Sequence, residues 1–104
     1  MKQDFKNSLK KSLPNYIKQD EECPLLRLSY DNFSLAGVIC DLYSKEFGVK
    51  WDFDPYNWLY GGDFYYFLDH VFDIPDEVVK WSGVEKAWLE EKSKLSFEDL
   101  SAEL

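Results

Sequence analysis

Apolar residues recur at helical spacing along five stretches of the chain and crowd together, mixed with acids, along one more. Residues 3–13 carry Phe5, Leu9 and Leu13 at i, i+4 and i+8, with Lys2, Lys6 and Lys10 as a basic stripe beside them. Asp4 is placed to cap this helix. Pro14 ends it, because the residue before a proline avoids the helical region. Tyr16 to Glu22 is polar and reads as irregular or briefly extended. PLLRLSY at 24–30 reads as a short strand, with Asp31 as the N-cap of the next helix. The strongest helical pattern spans 32–47. Phe33, Leu35, Ala36, Ile39, Cys40, Leu42, Tyr43 and Phe47 cover a wide apolar arc, and Ser34, Gly37, Asp41, Ser44 and Lys45 take the other side. A glycine inside a helix costs about 1 kcal/mol relative to alanine. Gly37 therefore suggests a second backbone passing close by. Gly48 is well placed to end the helix.

Residues 49–69 read as extended, with Gly61-Gly62 between WLY and DFYYFL as a hairpin signal. Pro75 suits the first position of a short helix to Ser82, with Asp76 and Glu77 at its positive end and Gly83 as terminator. Val78, Val79 and Trp81 face inward in that helix. Residues 84–94 give another short amphipathic helix. Ser96 caps a last one, with Asp99 three residues on and Phe97, Leu100 and Leu104 on one face. The expected fold is α+β: a mainly helical single domain, 1–104, with a central buried helix at 32–47 and a small antiparallel aromatic sheet packed against it.

Composition sharpens this picture. Of 104 residues, 45% are apolar and 18% aromatic, enough for a packed core. The net charge of −8 argues against general affinity for nucleic acid or an anionic membrane. The two cysteines, Cys23 and Cys40, make no disulfide framework. The first residues are too polar for a secretory signal, and no apolar run reaches membrane-spanning length. The expectation is a cytoplasmic protein with reduced thiols.

One segment stands apart. Trp51 to Val79 holds seven acids (Asp52, Asp54, Asp63, Asp69, Asp73, Asp76, Glu77), ten aromatics, and no Lys or Arg. Aromatic anchors ringed by carboxylates suit a basic protein surface. The candidate partner-binding residues are Asp52, Asp54, Tyr56, Trp58, Tyr60 and Asp63. Other chemistry finds less purchase. Asp52-x-Asp54 opens like a calcium loop, but Tyr56 and Asn57 stand where a ligand and the glycine belong. Cys23, Cys40 and the single His70 lack zinc-ligand spacing. Cys40 lies in a buried helix, which makes a thiol inert, and there is no glycine-rich phosphate loop. No catalytic residue, metal or cofactor is assigned. The alternatives are a DNA mimic that occupies a DNA-binding partner, and a small metal-dependent enzyme using Asp69, His70 and Asp73.

Taken in order, Tyr16-Ile17-Lys18-Gln19, the stretch Phe33 to Tyr43 (FSLAGVICDLY), Trp51, Ile74-Pro75-Asp76-Glu77-Val78 with Trp81 and Gly83, and Leu95 to Leu100 (LSFEDL) form a set of landmarks. This set resembles a family of short phage and prophage proteins of unknown function with a Gly-Val-x-Cys-Asp-Leu-Tyr core. The chain departs from it at Ser34 and Leu35, where members often carry cysteines, and in the Lys-rich EEKSKL at 90–95. The resemblance implies a virus-encoded protein working inside a bacterial host, where small acidic proteins bind and redirect host machinery. It carries over no catalytic residue. The expected function is a non-enzymatic protein that binds a basic host protein, as an inhibitor or modulator.

Overall fold

The computed structural model describes residues 1–19, 23, 25–57 and 62–104, and for 54–57 and 62–64 the backbone alone. The chain runs α1 (Gln3–Ser12), a 3-10 turn (Leu13–Asn15), β1 (Ile17–Lys18), β2 (Asn32–Phe33), α2 (Leu35–Phe47), β3 (Asp52–Asn57), β4 (Gly62–Tyr66), α3 (Asp76–Ser82), α4 (Lys86–Lys92) and α5 (Phe97–Glu103). The described residues thus form a mainly helical α+β fold, with β1 and β2 paired in parallel and β3 and β4 antiparallel.

The core is built from the apolar faces the sequence displays. Phe5, Leu9 and Leu13 are buried, as are Leu35, Val38, Ile39 and Cys40 of α2, Val78 of α3, Leu89 of α4, and Phe97 and Leu100 of α5. Phe5 meets Trp81 edge-on at 5.1 Å between ring centres, which joins α1 to α3. Ser96 caps α5 by accepting from the Asp99 N–H at 3.1 Å. The Ser101 hydroxyl then donates to the Lys10 carbonyl, tying α5 to α1. Gly48 and Gly83, at φ 68° and 70°, close α2 and α3 in the left-handed region where a Cβ is costly.

Several boundaries differ from the sequence reading, each for a local reason. Asp4 caps nothing. Lys2 holds the N-cap position, and Asp4 lies in the first turn, where its charge meets the positive end of the helix. Asp31 is not a cap either. Asn32 and Phe33 continue extended beside β1, with Ile17 opposite Asn32 and Lys18 opposite Phe33. The helix then begins at Leu35 behind Ser34, whose hydroxyl accepts from the Gly37 N–H at 3.0 Å. The strand expected at 24–30 reduces to a single bridge between Arg27 and Phe33. Residue 24 lies outside the described residues. Arg27 donates back to the carbonyls of Ser29 and Tyr30, which bends the chain out of a ladder. Pro75 precedes α3 as its N-cap, with extended ψ of 145°. The helix expected at 84–94 is shorter, Lys86–Lys92.

Gly37 is buried, not part of a solvated face. The Leu26 carbonyl crosses α2 at this point. It accepts from the Ser34 N–H at 3.0 Å and from the Ser34 hydroxyl at 3.1 Å. A Cβ on Gly37 would stand 1.8 Å from that carbonyl oxygen. The close approach inferred from the sequence is therefore real, and its partner is backbone. The Leu26 N–H donates in the opposite direction to the Val71 carbonyl at 2.8 Å.

Among the described residues the antiparallel hairpin is not laid broadside on α2, unlike the expected packing. β3 and β4 make their extensive contacts with each other. It is the residues flanking them that reach the core: Trp51 meets Phe67 at 4.8 Å and Phe33 at 6.1 Å, and Phe67 meets Tyr43 at 6.0 Å. The register slips between Asp54 and Asn57, so that Pro55 and Tyr56 oppose Asp63 alone. Proline has no N–H to give a ladder, so a bulge is where a strand tolerates it.

Replacing Gly37 by alanine is expected to cost roughly 3 kcal/mol or more, because a backbone carbonyl must move out of a packed crossing. Gly48→Ala, at a site with open space around it, is expected to cost about 1 kcal/mol. Urea denaturation of the two variants beside the wild type checks the order; equal losses would contradict the crossing.

Candidate functional site

A buried cation sits at the root of the hairpin. Arg27 is the sole arginine among twelve basic residues, and only 9% of it is exposed. Its Nε donates to the Ser29 carbonyl at 3.1 Å and its Nη2 to the Tyr30 carbonyl at 2.6 Å. The guanidinium carbon lies 4.3 Å from the ring centre of Tyr65, 4.6 Å from Phe33, 5.3 Å from Trp51 and 5.6 Å from Tyr30. Among the described residues it pairs with no carboxylate. A guanidinium is planar and weakly hydrated, so ring faces replace part of the water it gives up.

Beside this cage, Asp41 links α2 to the residues that precede β1 and β3. Its carboxylate accepts from the Tyr16 hydroxyl at 2.5 Å and from the Trp51 indole N–H at 3.0 Å. Lys45 stands 3.5 Å from the same carboxylate and donates to the Tyr16 hydroxyl at 3.2 Å. Burial, then the hydrogen bond and charge of Asp41, raise the Tyr16 hydroxyl well above its ordinary range, while Arg27 opposes them. The neutral phenol is a structural donor. Burial, with Asp41 adding to it, also pushes the Cys40 thiol far up, which leaves it without nucleophilic character.

Beyond this root, the hairpin carries the residues singled out from the sequence. Asp52, Asp54 and Tyr56 lie on β3 and Asp63 on β4, with Asp52 opposite Tyr66 and Asp54 opposite Phe64. Asp52 is exposed. Trp58 and Tyr60 lie outside the described residues. Two exposed aromatics join the surface that the sequence did not single out. Phe53 is 54% exposed and packs on Tyr65 at 5.2 Å; Tyr30 is 80% exposed beside Arg27. The signal for this arrangement was Arg27 itself, a lone arginine set among leucines.

Asp69, His70 and Asp73 are all exposed. Phe67 and His70 exchange backbone hydrogen bonds across a turn in which Leu68 and Asp69 have φ of 49° and 67°. Among the described residues, no three His, Cys, Asp or Glu side chains converge to hold a metal ion. No helix among them is long and apolar enough to cross a membrane.

The model of a domain of unknown function, DUF8296, matches residues 1–103, a span that takes in the helices, the Arg27 cage and the hairpin. The chain belongs to this family. No curated protein and no solved structure matches it. The DUF8296 match brings no assigned activity or site residue, so the chemistry of this chain rests on its own geometry.

A buried thiol and a half-buried phenol, both with raised pKa, make the DUF8296 domain less stable at alkaline pH. Cys40 and Tyr16 titrate at ordinary values of 9.0 and 10.0 when unfolded and well above these when folded. The folded state then holds protons that the unfolded state releases, so stability is fully present below pH 9 and falls as pH rises past each unfolded value. The ceiling is about 1.4 kcal/mol per pH unit per group, reduced for the half-exposed phenol by solvent screening. Tyr16→Phe is expected to flatten the decline above pH 10, measured by denaturant titration from neutral to alkaline pH. An unchanged slope would remove Tyr16 from this account.

Proposed function

We propose that this domain is a non-enzymatic binding protein whose acidic, aromatic hairpin docks on a basic surface of another protein. The observation that carries the reading is the hairpin itself. It is anchored at its root, makes no extensive contact with any helix among the described residues, and presents exposed Phe53 beside exposed Asp52 in a stretch with no basic residue. An exposed aromatic with carboxylates around it supplies apolar burial at the centre of a contact and charge at its rim. The net charge of −8 favours fast encounter with a cationic partner and repels nucleic acid. The resemblance to phage and prophage proteins supports a partner in the cytoplasm of a bacterial host, where such binding inhibits or redirects host machinery.

The test is affinity capture from bacterial lysate with the wild-type chain and with D52K/D54K/D63K and Phe53→Ala. An enriched protein of basic surface is expected with the wild type, weakened by salt and lost with both variants. Circular dichroism is expected to show the fold intact. A partner retained by folded variants would put the contact elsewhere on the domain.

A further inference from the structure

A groove of about 600 Å³ lies on a different part of the molecule from the hairpin. Its floor is apolar, formed by Leu35, Ile74 and Leu89, and Phe72 stands at its lip with 55% of its surface exposed. Among the described residues, the charge of its lining is inverted relative to the whole protein. Lys18, Lys86 and Lys94 line it against Asp73 and Glu90, whereas the chain as a whole has 20 acids to 12 bases. The Lys18 ammonium donates to the Leu95 carbonyl at 2.7 Å. Lys86 and Lys94 are exposed and make no ion pair among the described residues. Ser34 and Ser93 also line the groove, but their hydroxyls are engaged elsewhere, that of Ser34 with Leu26 and Gly37 and that of Ser93 with the Glu90 carbonyl at 2.9 Å. The first turn of α2 forms part of the same wall. There the N–H groups of Leu35 and Ala36 have no acceptor within the helix, since the cap occupies only that of Gly37.

An apolar floor and two ammonium groups without an ion pair among the described residues, within a volume typical of ligand sites, describe one kind of occupant. We infer that this groove binds a small amphipathic anion: a flat or branched apolar body on the Leu35–Ile74–Leu89 floor, with one carboxylate or phosphate head held by Lys86 and Lys94. Neither part of such a molecule suffices alone. The apolar body fills the floor without charge recognition, and a bare anion leaves the floor wet. Cys23 lines the same groove, and its free thiol is partly exposed, whereas the thiol of Cys40 is buried. Occupation of the groove therefore shields one cysteine and leaves the other as it was.

The experiment titrates the full chain with phenyl phosphate, inorganic phosphate and benzyl alcohol, read by backbone amide spectra and by the rate of Cys23 alkylation with iodoacetamide. Phenyl phosphate is expected to shift the amides of Leu35, Ala36 and Ser93 saturably and to slow alkylation, with the two fragments binding roughly tenfold more weakly. K86E/K94E is expected to weaken phenyl phosphate by roughly tenfold, and K86Q/K94Q by less, because the reversed charges repel the head. Both changes fall on exposed side chains, and melting curves verify the fold. Three results would overturn the assignment: benzyl alcohol binding as well as phenyl phosphate, undiminished binding in the folded lysine variants, or saturable shifts that avoid the groove. Hairpin mutations leave this binding unchanged, so the result stands apart from the proposed protein contact.

Discussion

The backbone of Leu26 crosses α2 with no room to spare, and much of the architecture depends on that crossing. Its carbonyl lies against Gly37 and is gripped by the N–H and hydroxyl of Ser34, while its N–H reaches Val71. One residue thus connects the start of the central helix to the segment leaving the hairpin. The Ser34 hydroxyl acts twice here, as acceptor for Gly37 and donor to Leu26. A side chain at position 37 would hold these two layers apart. The glycine is therefore a condition for the fold, and its cost to helix propensity is offset by the contact it allows.

Next to Leu26, Arg27 turns the crossing into an anchor for the sheet. A buried cation needs compensation, and here aromatic faces and two carbonyls provide it in place of a carboxylate. This explains part of the high aromatic content. Phe33, Trp51 and Tyr65 surround the guanidinium, and Trp51 also donates to Asp41. Phe53, outside the cage, and Tyr30, at 5.6 Å from the guanidinium carbon, keep exposed rings. Root and surface are therefore made of the same residue type with opposite duties.

The helices were legible because their signals are local: Phe5, Leu9 and Leu13 at fixed spacing, Ser96 with Asp99, and Gly48 and Gly83 at helix ends. The hairpin announced itself through its aromatic run. What the sequence concealed depends on partners distant along the chain. Asp31 looks like a cap as good as Ser34, and only the Leu26 carbonyl, eight residues before Ser34, decides between them. Asp41 reads as a solvated position on a helix face until Tyr16 and Trp51 arrive to use its two oxygens. Of the candidate site, Asp52, Asp54, Tyr56 and Asp63 were traceable to one hairpin. The lysine-lined groove left no trace, because Lys18 lies far along the chain from Lys86 and Lys94 and shares a wall with them only in three dimensions.

The bulge at Pro55 bears on how such a hairpin survives at high concentration. A two-stranded ribbon rich in aromatics has two open edges, and an open edge is a template on which further copies can stack into fibrils. Pro55 interrupts the row of donors on β3, and the register slip beside it breaks the regular spacing a stacking neighbour would need. Carboxylates at Asp52, Asp54 and Asp63 add mutual repulsion between identical copies. The hairpin can thus keep aromatic rings exposed while discouraging the stacking of its own copies.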